Sequence, residues 1–150
     1  MKGLEVIGSY LDEWNIVTIT VRLILAVVCG GAIGLTRSVK RRGAGFKTHA
    51  LVCLGSALVM MTGQYIYVDF GAISDIARLA AQVISGVGFL GVGTIMVTRD
   101  NHVKGLTTAA GLWTCAGIGL SIGIGFYSGA AITTILVLVI YRFMGRVDEI

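Results

Sequence analysis

The stretch Leu106–Tyr141, LTTAAGLWTCAGIGLSIGIGFYSGAAITTILVLVIY, contains no charged residue. At about 1.5 Å of helical rise per residue it is too long for one membrane crossing and long enough for two short ones. The turn belongs near Gly123 to Gly129, where GIGFYSG offers several flexible positions. A re-entrant hairpin is the alternative, but two crossings fit the length better. Working outward, three more apolar blocks stand at about Ile16–Leu35, broken only by Arg22, at Thr48–Val68 and at Ile76–Val97. Five spans result.

Composition agrees. The chain has 150 residues, 55% hydrophobic and only 13% charged, with a mean hydropathy of +0.87. Soluble domains carry roughly twice that share of charge. There is no proline among the residues, and 22 are glycine. Any helix break must therefore come from glycine, which in lipid also lets helix backbones approach closely. Cys29, Cys53 and Cys115 all lie inside apolar blocks, without metal or redox spacing, and read as small packing residues. The start, MKGLEVIGSYLDEWN, carries Glu5, Asp12 and Glu13 and is no secretory signal. Leu4, Ile7, Leu11 and Trp14 recur at helical spacing, predicting a short amphipathic interfacial helix over 1–15. The membrane domain then covers 16–144 and a cytoplasmic tail 145–150.

The charges test the count independently. Arg37, Lys40, Arg41, Arg42 and Lys47 lie between spans one and two, Arg99 and Lys104 after span three, and Arg142 and Arg146 after span five. An odd number of crossings puts all of them on one side. Glu5, Asp12, Glu13, Asp69 and Asp75 fall on the other. Basic residues mark the cytoplasmic face, so the N-terminus is outside and the C-terminus inside. The basic loop itself reads either as a topology signal or as a site for anionic lipid or an acidic partner.

Small residues repeat along helix faces. Gly30 and Gly34 form one pair; Gly111, Cys115, Gly119 and Gly123 form a longer row; Gly86, Gly88 and Gly91 lie in span three. Such strips serve either packing within one subunit or a dimer interface. Charged and polar groups inside spans are costly and mark sites. Arg22, Asp75, Arg78, Gln82 and Ser85 are the candidates here, the last four at helical spacing on one face. A buried arginine needs a carboxylate or carbonyl partner, and Asp75 is the nearest acid, which predicts a polar cluster opening outward. At the inner ends stand Arg37, Lys47, Thr48, His49, Thr107 and Thr108. The threonines read as helix caps, His49 as a structural group or a pH-sensitive one.

Several activities are excluded. No phosphate-binding loop of the Gly-x-x-x-x-Gly-Lys type is present, nor a His/Cys cluster for a transition metal, nor a hydrolytic triad. A conducting magnesium pore is not excluded but gains only weak support, since magnesium sites want carboxylates and the spans hold none away from their ends. No catalytic residue, cofactor, metal site or nucleic-acid partner is expected.

Four ordered blocks carry a likeness: RLILAVVCGGAIGL (Arg22–Leu35), AGFKTHALVCLGSALVMM (Ala44–Met61), DIARLAAQVISGVGFLGVGTI (Asp75–Ile95) and VKGLTTAAGLW (Val103–Trp113). Over about Arg22–Tyr127 their order and spacing resemble the membrane domain of the MgtC/SapB family. That resemblance implies a bacterial inner-membrane protein linked to magnesium homeostasis and to survival in low magnesium, acid or phagocytes. It implies action by regulation, through membrane-protein partners such as the ATP synthase, with relevance to virulence. Some members carry a soluble C-terminal domain; with the sequence ending at Ile150, that domain is expected to be absent. Thr36 stands where the family usually has an acidic residue. The expected function is a non-enzymatic regulator, in contact with membrane lipid and forming a homo-oligomer, with a dimer favoured. The alternative is a small transporter or channel for an ion or polar solute.

Overall fold

A computed structural model describes residues 15–39, 43–70, 75–99 and 101–143. Residues 1–14 of the expected interfacial helix over 1–15, the basic run at 40–42 and the tail at 145–150 lie outside the described residues. Five helices are present: α1 (Ile16–Val39), α2 (Phe46–Phe70), α3 (Ile76–Val92), α4 (Leu106–Gly123) and α5 (Tyr127–Phe143). By length and composition α1, α2 and α4 are long and apolar enough to cross a membrane, and α3 and α5 are shorter apolar helices.

Four helix starts have a local cause. Asn15 Oδ1 accepts from Thr18 N at 2.8 Å and starts α1. At the start of α2, Ser38 reaches back from the end of α1 and its Oγ accepts from Phe46 N at 2.8 Å. Asp75 caps α3 by accepting from Arg78 N at 3.2 Å. Before α4 stands Gly105 at φ +100°, with no side-chain cap, and a Cβ there would overlap the carbonyl oxygen of Thr94. Only glycine fits that position. The predicted threonine caps are thus replaced by Ser38 and Gly105, and Thr48, Thr107 and Thr108 lie inside first turns.

Two further differences from the sequence reading are clear. The third apolar block stops being helical at Val92, five residues early. Gly93 ends the helix, and the following β-branched run enters a small antiparallel hairpin, β1 (Met96–Val97) with β2 (Val103–Lys104). Met96 faces Lys104, Val97 faces Val103, and Asn101 takes the positive φ of 58° that the turn needs. The five helices bear out the all-α expectation, which did not include this hairpin of two-residue strands. By contrast, the turn inside the charge-free stretch falls at Ile124–Phe126, inside the predicted window.

The packing is inverted relative to a water-soluble bundle. Side chains with no exposure are mostly small, among them Ala26, Cys53, Ala57, Cys115 and Ala116, with Ile33 and Ile122 beside them. Large apolar groups point outward on every helix: Ile24, Leu51, Phe89, Trp113 and Leu136 are all exposed. Water would penalise such a surface heavily, whereas hydrocarbon accepts it. Glycine sets the close approaches inside. A Cβ on Gly30 would lie 2.6 Å from the carbonyl oxygen of His49, and one on Gly123 2.6 Å from that of Ala57. So α2 is gripped between α1 and α4, α3 packs on α2 and α4, and α5 closes against α4 and α1.

Candidate functional site: two buried arginines at opposite ends of the bundle

One stripe of α1 is buried: Thr18, Arg22, Ala26, Gly30, Ile33, Gly34 and Arg37. Steps of three and four keep these residues on one face, and α1 is thereby pressed against its neighbours with an arginine near each end. The two arginines stand about 22 Å apart along the helix. Each meets a different end of α4.

Arg22 is 4% exposed. Its Nε donates to Tyr127 Oη at 2.9 Å, and its Nη1 donates to the carbonyl oxygen of Gly123 at 2.8 Å and to Gln64 Oε1 at 3.3 Å. Gln64 Nε2 donates in turn to the Ile124 carbonyl at 3.4 Å. These carbonyls are the outward-pointing ones at the C-terminal end of α4, where the helix dipole favours a cation. Gly125, at φ +87°, turns the chain there, and a Cβ on it would stand 3.4 Å from the guanidinium. Arg22 therefore clamps α1, α2 and the α4–α5 turn together.

At the other end Arg37 Nη2 donates to Thr108 Oγ1 at 2.9 Å, in the first turn of α4. Its guanidinium lies over the Tyr141 ring, 4.8 Å from the centroid, within cation–π range. Tyr141 Oη donates to the Thr107 carbonyl at 3.3 Å. His49 is fully buried beside them, Nδ1 at 2.9 Å from the Gly45 carbonyl. A carbonyl oxygen only accepts, so Nδ1 carries a proton in that contact. Nε2 has no hydrogen-bond partner among the described residues. Gly111 faces both groups: a Cβ would collide with Tyr141 Oη and stand 3.3 Å from Nε2. Tyr141→Phe should cost about 1 kcal/mol of stability in detergent, because one hydrogen bond goes while the ring stays over Arg37. Thr108→Val should cost more, about 2 kcal/mol, since it strips an acceptor from a buried charge. Comparing their melting curves tests the order.

The sequence-predicted residues thus divide. Arg37, His49, Thr107 and Thr108 come together; Lys47 and Thr48 are exposed along the groove between α2 and α3. Arg22 and Asp75 do not meet: Asp75 is used as the α3 cap, its side chain accepting from Arg78 N and its carbonyl from Arg78 N and Leu79 N. Arg78, Gln82 and Ser85 are exposed on the face of α3 that points away from the bundle. Tyr127, Gln64 and Tyr141 were missed. The signal for them was modest: Gln64 is an amide inside an apolar span, and each tyrosine stands at an end of the last span. Of the glycines, Gly30, Gly34, Gly111, Gly119 and Gly123 face neighbouring elements at sub-van-der-Waals range, Gly91 lies in ordinary contact with Ala109, and Gly86 and Gly88 face open space.

A bundle of apolar helices with a small-residue interior, a greasy exterior and buried arginines tied to helix ends is a helical membrane protein. The chain belongs to the MgtC family, whose model matches residues 23–150. It is 47% identical over 94 residues to the Escherichia coli K12 protein named "Putative magnesium transporter YhiD", a match covering 60% of this chain and 43% of that one. It is 41% identical over 133 residues to an uncharacterized protein of Haemophilus influenzae (85% of this chain, 56% of the other). It is 39% identical over 115 residues to Protein MgtC of Brucella abortus strain 2308 (77% and 46%). The chain spans about half the length of the curated relatives it matches. No solved structure matches it at a significant level.

Proposed function

We propose that this chain is a non-enzymatic, multi-pass protein of the bacterial inner membrane, linked to magnesium homeostasis and to acid or low-magnesium stress. In this reading it works by contact with other membrane proteins, an ATP synthase among the candidates, and as a homo-oligomer, with a dimer favoured. All five helices cross the bilayer, with the N-terminus outside and the basic loops in the cytoplasm. Family membership and the magnesium-related name of YhiD support the magnesium link. One observation carries the mode of action. The interior polar groups brace helix ends, at Arg22 on Gly123 and at Arg37 on Thr108, while the remaining polar stripe of α3 faces outward. Polar chemistry is thereby directed toward a neighbour in the membrane rather than along an internal path. Tags at Met1 and Ile150 should report opposite compartments; a shared compartment would remove the five-crossing topology.

The name of YhiD favours a second reading, transport of magnesium. Oxygen ligands along a path are its chemical requirement. Among the described residues the carboxylates are Asp69 and Asp75, both at helix ends. Purified protein in liposomes loaded with a magnesium indicator separates the two readings. No flux above empty vesicles, together with recovery of a specific membrane partner by in-cell crosslinking, is the expected result. Flux abolished by Asp75→Asn would establish transport instead.

A further inference from the structure

The outward face of α3 is built the wrong way round for lipid. Its inward face carries Val87 and Gly91 against the bundle. Opposite them, at steps of three and four, run Arg78, Gln82, Ser85 and Phe89, all exposed, with Ala81 and Gly88 on one flank and Asp75 and Gly86 on the other. None of the Arg78, Gln82 and Ser85 side chains has a hydrogen-bond partner among the described residues. Hydrocarbon offers no replacement for the missing partners. Headgroups reach the start of the helix, where Asp75 and Arg78 stand. Ser85 lies about 15 Å further along, near the middle of a helix only about 26 Å long. Arg78 can snorkel to the surface; the shorter Gln82 and Ser85 side chains cannot.

A second, independent observation comes from the glycines. Gly86 and Gly88 have nothing within 4 Å of where a Cβ would stand, unlike Gly30, Gly119 or Gly123. Gly86 borders the open groove toward α2, and Gly88, on the other flank, meets nothing of the chain's own. They leave room for another backbone to come close on either side of the polar row.

We infer that this face is the contact between two copies of the chain, with α3 lying against α3 of the partner. The inference rests on the homo-oligomeric reading above and gives it a location. Self-complementarity selects a second copy as the occupant. A two-fold axis makes residue i of one copy meet j of the other and j meet i. Asp75 and Arg78 are opposite charges one turn apart, so the exchange pairs acid with base twice. Gln82 carries both donor and acceptor, so two identical amides can bond to each other across the axis. Ser85, Ala81 and Gly88 are small enough to admit the approach.

Disulfide crosslinking of the full chain in native membranes tests it. Gln82→Cys and Ser85→Cys should each give a dimer band on mild oxidation, against a wild-type background set by the half-buried Cys29 and the buried Cys53 and Cys115. Ile24→Cys on α1 and Leu136→Cys on α5, both exposed elsewhere on the surface, should give none. A band at 24 or 136 and none on α3 would leave the oligomer standing and overturn this interface. No band anywhere, with single-step photobleaching of labelled chains in vesicles, would remove both. Crosslinks from α3 only to a different protein would assign the face to that partner and equally overturn the inference. In vesicles, Gln82→Leu should raise the dimer dissociation constant roughly 3- to 30-fold, with the melting temperature of the monomer unchanged. An unaltered constant would take the amide, and the proposed face with it, out of the contact.

Discussion

Arg22→Leu is expected to destabilise the bundle by about 3 kcal/mol, since it removes charge-assisted bonds to Gly123 and Tyr127 together. Leucine retains most of the arginine's apolar bulk at this position, so the loss will not come mainly from a cavity. It comes from oxygens left without a donor where water does not reach. Tyr127→Phe removes one of the bonds and should cost about 1 kcal/mol. Arg22→Lys keeps the charge but presents a compact ammonium in place of the planar fork, and cannot hold a phenol, an amide and a carbonyl from three elements at once. It should fall between the other two. Denaturant titration in mixed micelles gives the ranking. A stable Arg22→Leu protein would show that the α4–α5 turn holds without the clamp.

The second large effect is steric. Gly119→Leu is expected to prevent accumulation of folded protein, because its Cβ alone would overlap the carbonyl oxygen of Cys53 and stand 2.8 Å from Ser56 Cβ. The obstacle is backbone, which cannot rotate aside, so α2 and α4 must separate. Overpacking of that kind costs about 3 kcal/mol or more. Gly117 is two residues away on the same helix with nothing within 4 Å. Gly117→Leu should therefore accumulate like the parent chain, and membrane levels of the two variants, compared by immunoblot, decide the matter. Equal levels would mean that α2 and α4 are not seated as described.

What the sequence makes legible follows from what letters can encode. The charge-free run Leu106–Tyr141 already contains the α4–α5 hairpin, because excess length in an apolar stretch forces a turn and glycine marks where. The grouping of Arg37, His49 and Thr108 is also foreshadowed, since the charge pattern assigns the end of α1 and the starts of α2 and α4 to the same, basic side. The partner of Arg22 was not legible. Reasoning from charge nominates Asp75, the nearest acid, but the arginine is satisfied by the carbonyl oxygen of Gly123, an acceptor every residue carries and no letter displays. Helix ends are where such oxygens are free. Asp75 had a local use, capping α3, that a charge-pairing argument overlooks. The hairpin at Met96–Lys104 escaped for another reason: two-residue strands give too short a pattern for alternation to be read.

The helices differ in length in a way that bears on the surrounding bilayer. α1 has 24 residues and α2 has 25, which gives about 36 Å and more, whereas α4 has 18 and reaches only about 27 Å. A hydrocarbon slab near 30 Å cannot match both. With all five helices crossing as proposed, the long pair is accommodated by leaning and the lipid beside the short helix by thinning, so the molecule would carry a dimple of hydrophobic mismatch with it. Bilayers with shorter acyl chains relieve that deformation and thicker ones deepen it, which makes lipid thickness a variable that selects where in a cell envelope the protein settles.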